Sequence, residues 1–130
     1  MQSTNSTLDY LIQQGENALS EASKATVTDT MNEVFEVHMY ELLAMKYHDA
    51  LRNFEEALKI DSENESALEG FCYALAETIS HYERAGLSHL AEIVKVKAMP
   101  YYNEKLLDVV KKSKRIGKYL FEILHGIFPD

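Results

Sequence analysis

Residues 47–64 read Tyr-His-Asp-Ala-Leu-Arg-Asn-Phe-Glu-Glu-Ala-Leu-Lys-Ile-Asp-Ser-Glu-Asn, and their pattern decides the fold. Ala50, Phe54, Ala57, Leu58 and Ile60 recur at helical spacing, while Arg52, Glu55, Glu56 and Lys59 occupy the other side. One face therefore alternates small and large apolar residues, as a helix does when it receives another helix. A neighbouring backbone can approach closely at Ala50 and Ala57, and Phe54 between them is the expected anchor. The run 61–64 has no apolar residue and consists of types that hydrogen-bond their own backbone, so it predicts a tight turn. A new apolar period begins at Ala67.

Tyr47, Ala50, Phe54, Ala57 and Leu58, followed by the acidic turn and then Ala67 and Leu68, resemble the second helix of a tetratricopeptide repeat running into the first helix of the next. The flanks depart from that pattern. Val34 and Val37 stand where the family has a large aromatic residue and leucine, His38 replaces the usual small residue, and Met45 replaces the turn glycine. Leu68, Phe71 and Cys72 fit on the other side, and the register is lost beyond Leu75. The resemblance implies one full repeat between degenerate ones. The same Ala/Phe seam also suits any antiparallel helical hairpin.

In chain order, residues 1–6 are polar and expected to fray, and Ser6 or Thr7 can cap a helix carrying Leu8, Leu11, Ile12, Gly15, Ala18, Leu19 and Ala22. The threonines of 26–30 suit a turn, and Thr30 with Glu33 has capping-box spacing. A second helix is expected to about Ala44, apolar around more than half its circumference and in need of cover on two sides. A third covers about 46–60. A fourth runs from Glu65 to Ala85, where Gly70 marks a close helix contact. Gly86 then reads as a C-cap and Ser88 as the N-cap of a helix to Met99. Beyond Pro100, apolar residues from Tyr102 to Phe128 keep helical spacing, predicting one long last helix that caps the array. The expected fold is one all-α domain over 1–130, a short array of five to six antiparallel helices similar to tetratricopeptide repeats.

A 130-residue chain that is 46% apolar can bury a core without covalent staples. Its net charge of −8 argues against general nucleic-acid affinity and favours basic partners. The single cysteine, Cys72, falls on an apolar helix face, consistent with a reducing, cytoplasmic setting. No signal peptide or membrane span is expected, and the sequons at Asn5 and Asn64 read as chance. Lys111, Lys112, Lys114, Arg115 and Lys118 form a basic run, read either as the solvated face of the last helix or as a contact for an acidic partner, membrane surface or nucleic acid.

Chemistry is sparse. Glu122 and His125 have the Glu-x-x-His spacing of di-iron bundles, but Glu77 and His81 do not supply a second pair at that spacing, and no phosphate loop or nucleophile elbow is present. No cofactor, catalytic residue or metal ligand is assigned. The expected function is a protein-interaction module acting as adaptor, assembly factor or chaperone; the alternative is a bundle that holds a metal or small molecule in its core. Carrying the repeat register onto this chain implies a concave groove lined by Asn32, Phe35, Met39, Leu42 and Leu43 from one helix and by Ser66, Glu69, Tyr73, Ala76 and Glu77 from another. Phe35 and Met39 replace the lysine and asparagine of the family's carboxylate clamp. Phe35, Met39 and Leu43 would form an adaptable floor, Tyr73 a rigid anchor, and Glu69 and Glu77 an acidic edge for a lysine or arginine of a peptide or amphipathic helix. The first or last helix folding over the groove, or a homodimer, would bury the same surface.

Overall fold

The computed structural model describes residues 2–27 and 33–128, with side chains over 6–24 and 38–128. Every described element is helical: α1 Gln2–Val27, α2 Glu33–Ile60, α3 Glu65–Arg84, α4 Ser88–Ala98, a 3-10 turn Met99–Tyr101, α5 Glu104–Lys112 and α6 Lys118–Ile127. Thr30 and Asn32 lie outside the described residues.

Several boundaries differ from the sequence expectation. α1 begins at Gln2 and runs through Ser6 and Thr7 rather than being capped by them. The break expected near Met45 is absent, and α2 is one helix of 28 residues. Ala44, Met45 and Lys46 are all good helix formers, and no glycine or proline interrupts them, so nothing there stops propagation. The helix-turn-helix that a tetratricopeptide repeat would need within 33–60 does not form. The expected last helix is instead two, α5 and α6, separated by 113–117. Leu106 and Leu120 are about four helical turns apart, so the apolar phase is the same before and after the break and periodicity cannot register it. Ser113 serves as the C-cap of α5 and Gly117 as the N-cap of α6.

The turn expected at 61–64 is formed, whereas α1 runs through Thr26 and Val27 and the rest of the turn expected at 26–30 lies outside the described residues. Asn64 caps α3 by accepting from the Ala67 amide at 2.9 Å, and the Glu63 amide donates to Asp61 at 3.1 Å. Asn103 caps α5 in the same way through the Leu106 amide and donates to the Ser62 carbonyl at 3.0 Å, tying the start of α5 to the α2–α3 turn. α3 ends in a Schellman motif: the Leu87 amide donates to the Tyr82 carbonyl and the Gly86 amide to the Glu83 carbonyl. Gly86 takes φ +79°, a left-handed conformation that suits glycine. Leu87 thereby becomes the N-cap of α4, and Ser88 sits inside the helix rather than capping it.

α3 is the centre of the molecule and touches every other α-helix. Its sequence explains why. From Ala67 to Tyr82 the buried positions are apolar, glycine or small neutral polar residues, apart from His81. Thr78 satisfies its hydroxyl internally on the Ala74 carbonyl, and His81 Nδ1 donates to the Glu77 carbonyl at 2.7 Å. A helix buried this way on most sides is the element on which the rest of the helical array packs.

The closest packing surrounds Phe54, which has no exposed surface. Its ring lies against the backbones of Gly15 in α1 and Gly70 in α3. A Cβ placed on Gly15 would come within 2.6 Å of the ring, and one on Gly70 would overlap it. Ala50 and Ala57 are also buried, so the small flanks read from the sequence are present, and the two glycines complete the pocket. Three helices therefore meet at a single aromatic side chain.

Candidate functional site

Glu69, Tyr73 and Glu77 share one face of α3 because residues four apart stack on a helix. The structure brings these three together as expected and puts a cation from the same chain on them. Arg115, in the segment joining α5 to α6, donates through Nε to Glu69 at 2.8 Å and through Nη1 and Nη2 to Glu16 of α1 at 2.9 and 2.8 Å. The guanidinium also lies over the Tyr73 ring, 4.9 Å from its centroid. Ser113 Oγ donates to the same Glu69 oxygen, Oε2, at 2.7 Å and accepts from the Ile116 amide at 3.2 Å. One arginine thus forks to two carboxylates from two helices and stacks on an aromatic ring, geometry that only a planar guanidinium provides. Burial opposes its charge, but the hydrogen bonds to Glu16 and Glu69 outweigh that and raise its pKa above the ordinary value.

The surface over Glu69 and Tyr73 is therefore covered at Arg115 by the 113–117 crossing, part of the stretch expected to form the last helix, and Glu16 of α1 shares the guanidinium. The sequence pattern places Arg115 in a basic run on the expected last helix. Breaking that helix turns it inward, while Lys111, Lys112, Lys114 and Lys118 stay exposed.

Past Arg115 the face continues as a tyrosine-lined seam. Tyr73 Oη donates to Glu77 at 3.2 Å. Tyr47 of α2 meets the Tyr73 ring edge-on with centroids 6.3 Å apart, and its hydroxyl lies beside Glu77. Burial first, and the Glu77 charge second, push both phenols up from their ordinary values. Tyr40 and Tyr47 both lie against His81. At the far end, the Arg84 guanidinium sits between Tyr40 and Tyr119, at 5.6 and 5.8 Å from their centroids, and Tyr119 Oη is 3.2 Å from Ser80 Oγ. Among the described residues no cation forms an ion pair with Glu77.

The α2 residues expected on this face fare differently. Leu43 is buried, Met39 is half-buried, and Leu42 is exposed. Phe35 belongs to α2, and its side chain lies outside the described ones. Ser66 is exposed and Ala76 buried. Sequence reasoning missed Tyr40, which the implied repeat register leaves out of the groove, and Tyr47, which lies beyond the break expected near Met45; the unbroken α2 places both on α3.

The metal alternative finds no ligand set. Among the described residues no three His, Cys, Asp or Glu side chains gather as a metal site. Glu122 and His125 are both exposed on α6. Cys72 is fully buried, and burial pushes its thiol far up, so it stays protonated and inert.

His48 of α2 lies 3.2 Å from the Tyr82 hydroxyl through Nδ1. Burial, followed by the charge of Arg52, lowers its pKa from the ordinary value, with Lys97 of α4 adding to the shift and Asp49 opposing it. The unfolded chain therefore binds more protons in the window below about 6.5. The resulting stabilisation is complete above that value and is lost as pH falls through the folded-state pKa. Urea midpoints measured between about pH 7.5 and 5 should decline more steeply for the native chain than for His48→Gln. Parallel profiles would show that His48 titrates as it does when unfolded.

No protein-family model, no curated protein and no solved structure matches this chain. No helix among the described residues is long and apolar enough to cross a membrane.

Proposed function

We propose that this chain is a protein-interaction module whose α2–α3 face takes a partner segment carrying a basic residue beside apolar ones. The observation that supports this reading is the seating of Arg115. An arginine brought from a distant part of the chain is gripped by Glu69 and Glu16 and stacked on Tyr73. The face is thus chemically suited to a cationic side chain. One position is filled internally, and Glu77, one turn further along α3, repeats the chemistry with the Tyr73 and Tyr47 hydroxyls beside it and no cation paired to it among the described residues. A partner lysine or arginine completes that second position, and the half-buried Met39 of α2 offers an adaptable apolar surface to the same partner.

Selection of a random displayed-peptide library on the purified chain tests this directly. The enriched peptides should carry lysine or arginine next to apolar residues and should bind Glu77→Gln about tenfold more weakly, a loss typical of one charge-assisted contact. Met39→Glu should weaken them comparably while the far-UV spectrum stays native. Enrichment of peptides without a basic residue, or equal binding to both variants, overturns the reading.

A further inference from the structure

Ser113 stands in the run Lys111-Lys112-Ser113-Lys114-Arg115, and it is the only serine in the chain with basic residues on both sides within two positions. Lys111, Lys112 and Lys114 are exposed, and Ser113 falls just after the end of α5, so presenting it requires no helix to unwind. Its hydroxyl touches the one carboxylate that holds Arg115 to α3: Ser113 Oγ to Glu69 is 2.7 Å. Glu69 in turn is only 22% exposed, so water screens it weakly.

We propose that Ser113 is a phosphorylation site for a serine kinase that selects basic substrates, and that phosphate there releases the Arg115 clamp. The Ser113 oxygen attacks the γ-phosphorus of ATP. The new P–O bond forms as the bond to the β,γ-bridging oxygen breaks, ADP departs, and the hydroxyl proton passes to the kinase's own base. The exposed lysines supply the charge that an acidic substrate cleft recognises.

The product changes the site in two ways. The Ser113 oxygen no longer carries a proton for Glu69, and nearly two negative charges replace it at contact distance from that carboxylate. Arg115, two residues along the same segment, is also offered a phosphate as a competing partner for its fork. Repulsion at Glu69 and attraction within the loop act in the same direction. The guanidinium leaves Glu16 and Tyr73, α1 loses its tie to the α5–α6 crossing, and the Glu69–Tyr73 part of the α3 face opens. This proposal holds whether or not that face binds a partner.

The full chain should be incubated with ATP and the catalytic subunit of a basic-directed serine kinase, and the product mapped by mass spectrometry. Phosphate should appear on Ser113, should be absent from Ser113→Ala at that position, and should form about tenfold more slowly in the double variant Lys111→Ala, Lys112→Ala. No phosphate on Ser113, or equal rates without the lysines, overturns the site assignment. Hydrogen exchange then tests the switch. Amides of 12–20 in α1 should exchange about tenfold faster in the phosphorylated native chain than in the unmodified one. In Glu69→Gln, which lacks the repelled carboxylate and keeps only the attraction within the loop, phosphorylation should add a clearly smaller acceleration than in the native chain. Unchanged exchange in the native chain, or equal acceleration in both, overturns the release mechanism.

Discussion

Phe54→Ala is expected to lower the unfolding free energy by about 3–5 kcal/mol. Domains of this size are stable by roughly 5–15 kcal/mol, so the variant would sit near its unfolding threshold at ambient temperature. The reason is geometric. The ring is fully buried where α1, α2 and α3 meet, and it faces the glycine backbones of residues 15 and 70. A cavity bounded by glycine backbone has no neighbouring side chain that can rotate to fill it, so relaxation would require whole helices to shift. A second variant separates this account from a general loss of apolar area. Gly70→Ala should destabilise the native chain, because the new Cβ overlaps the ring, even though alanine is favoured over glycine in a helix by about 1 kcal/mol. In the Phe54→Ala background the overlap is gone, so Gly70→Ala should become stabilising. Urea denaturation of the four proteins measures both terms. A Gly70→Ala effect of the same sign in both backgrounds would contradict the packing described here.

The helical class was legible because every apolar run has helical period, and Phe54 was legible as an anchor because it lies between two alanines. What the pattern does not encode is which backbones come to it. Gly15 and Gly70 are far apart in sequence, and although each marks a close approach, only the folded chain shows that both approach the same ring. Likewise the broad apolar surface of the first half of α2 does not mark the centre of the molecule. That centre lies in α3, whose signal is the near absence of charge between Phe71 and His81, with Glu77 alone interrupting it.

The candidate face was half legible. Glu69, Tyr73 and Glu77 came from the register that the repeat resemblance implies, and their four-residue spacing puts them on one face of α3. Arg115 did not follow, since a cation among four others reads as solvated surface, and its inward turn depends on a break that leaves the apolar phase unaltered. The only local marks of that break are Ser113 and Gly117, each common at helix ends and neither decisive alone. A residue that meets Glu16 across 99 positions of sequence has no local signature at all.

Arg115→Met should destabilise the chain by about 1–3 kcal/mol, and its value lies in how the loss is distributed. Arg115, Glu16 and Glu69 are 33, 36 and 22% exposed, so part of the attraction is screened and the effect belongs toward the lower end of that range. Removing the cation leaves two carboxylates close together without their shared partner, which adds a repulsive term to the lost hydrogen bonds. Glu16→Gln introduced into Arg115→Met should therefore recover stability, whereas in the native background the same substitution should cost it. Arg115→Lys should behave more like Met than like Arg, because an ammonium cannot present forked donors to two carboxylates while stacking flat on Tyr73. The deficit of Arg115→Met should also shrink between about 0.05 M and 1 M salt, as screening weakens both the native attraction and the variant's repulsion. Urea midpoints at the two salt concentrations measure all of these. If Arg115→Lys matches the native chain and Glu16→Gln has the same sign in both backgrounds, Arg115 is held by water rather than by the two helices, and the face over Tyr73 is open without any release.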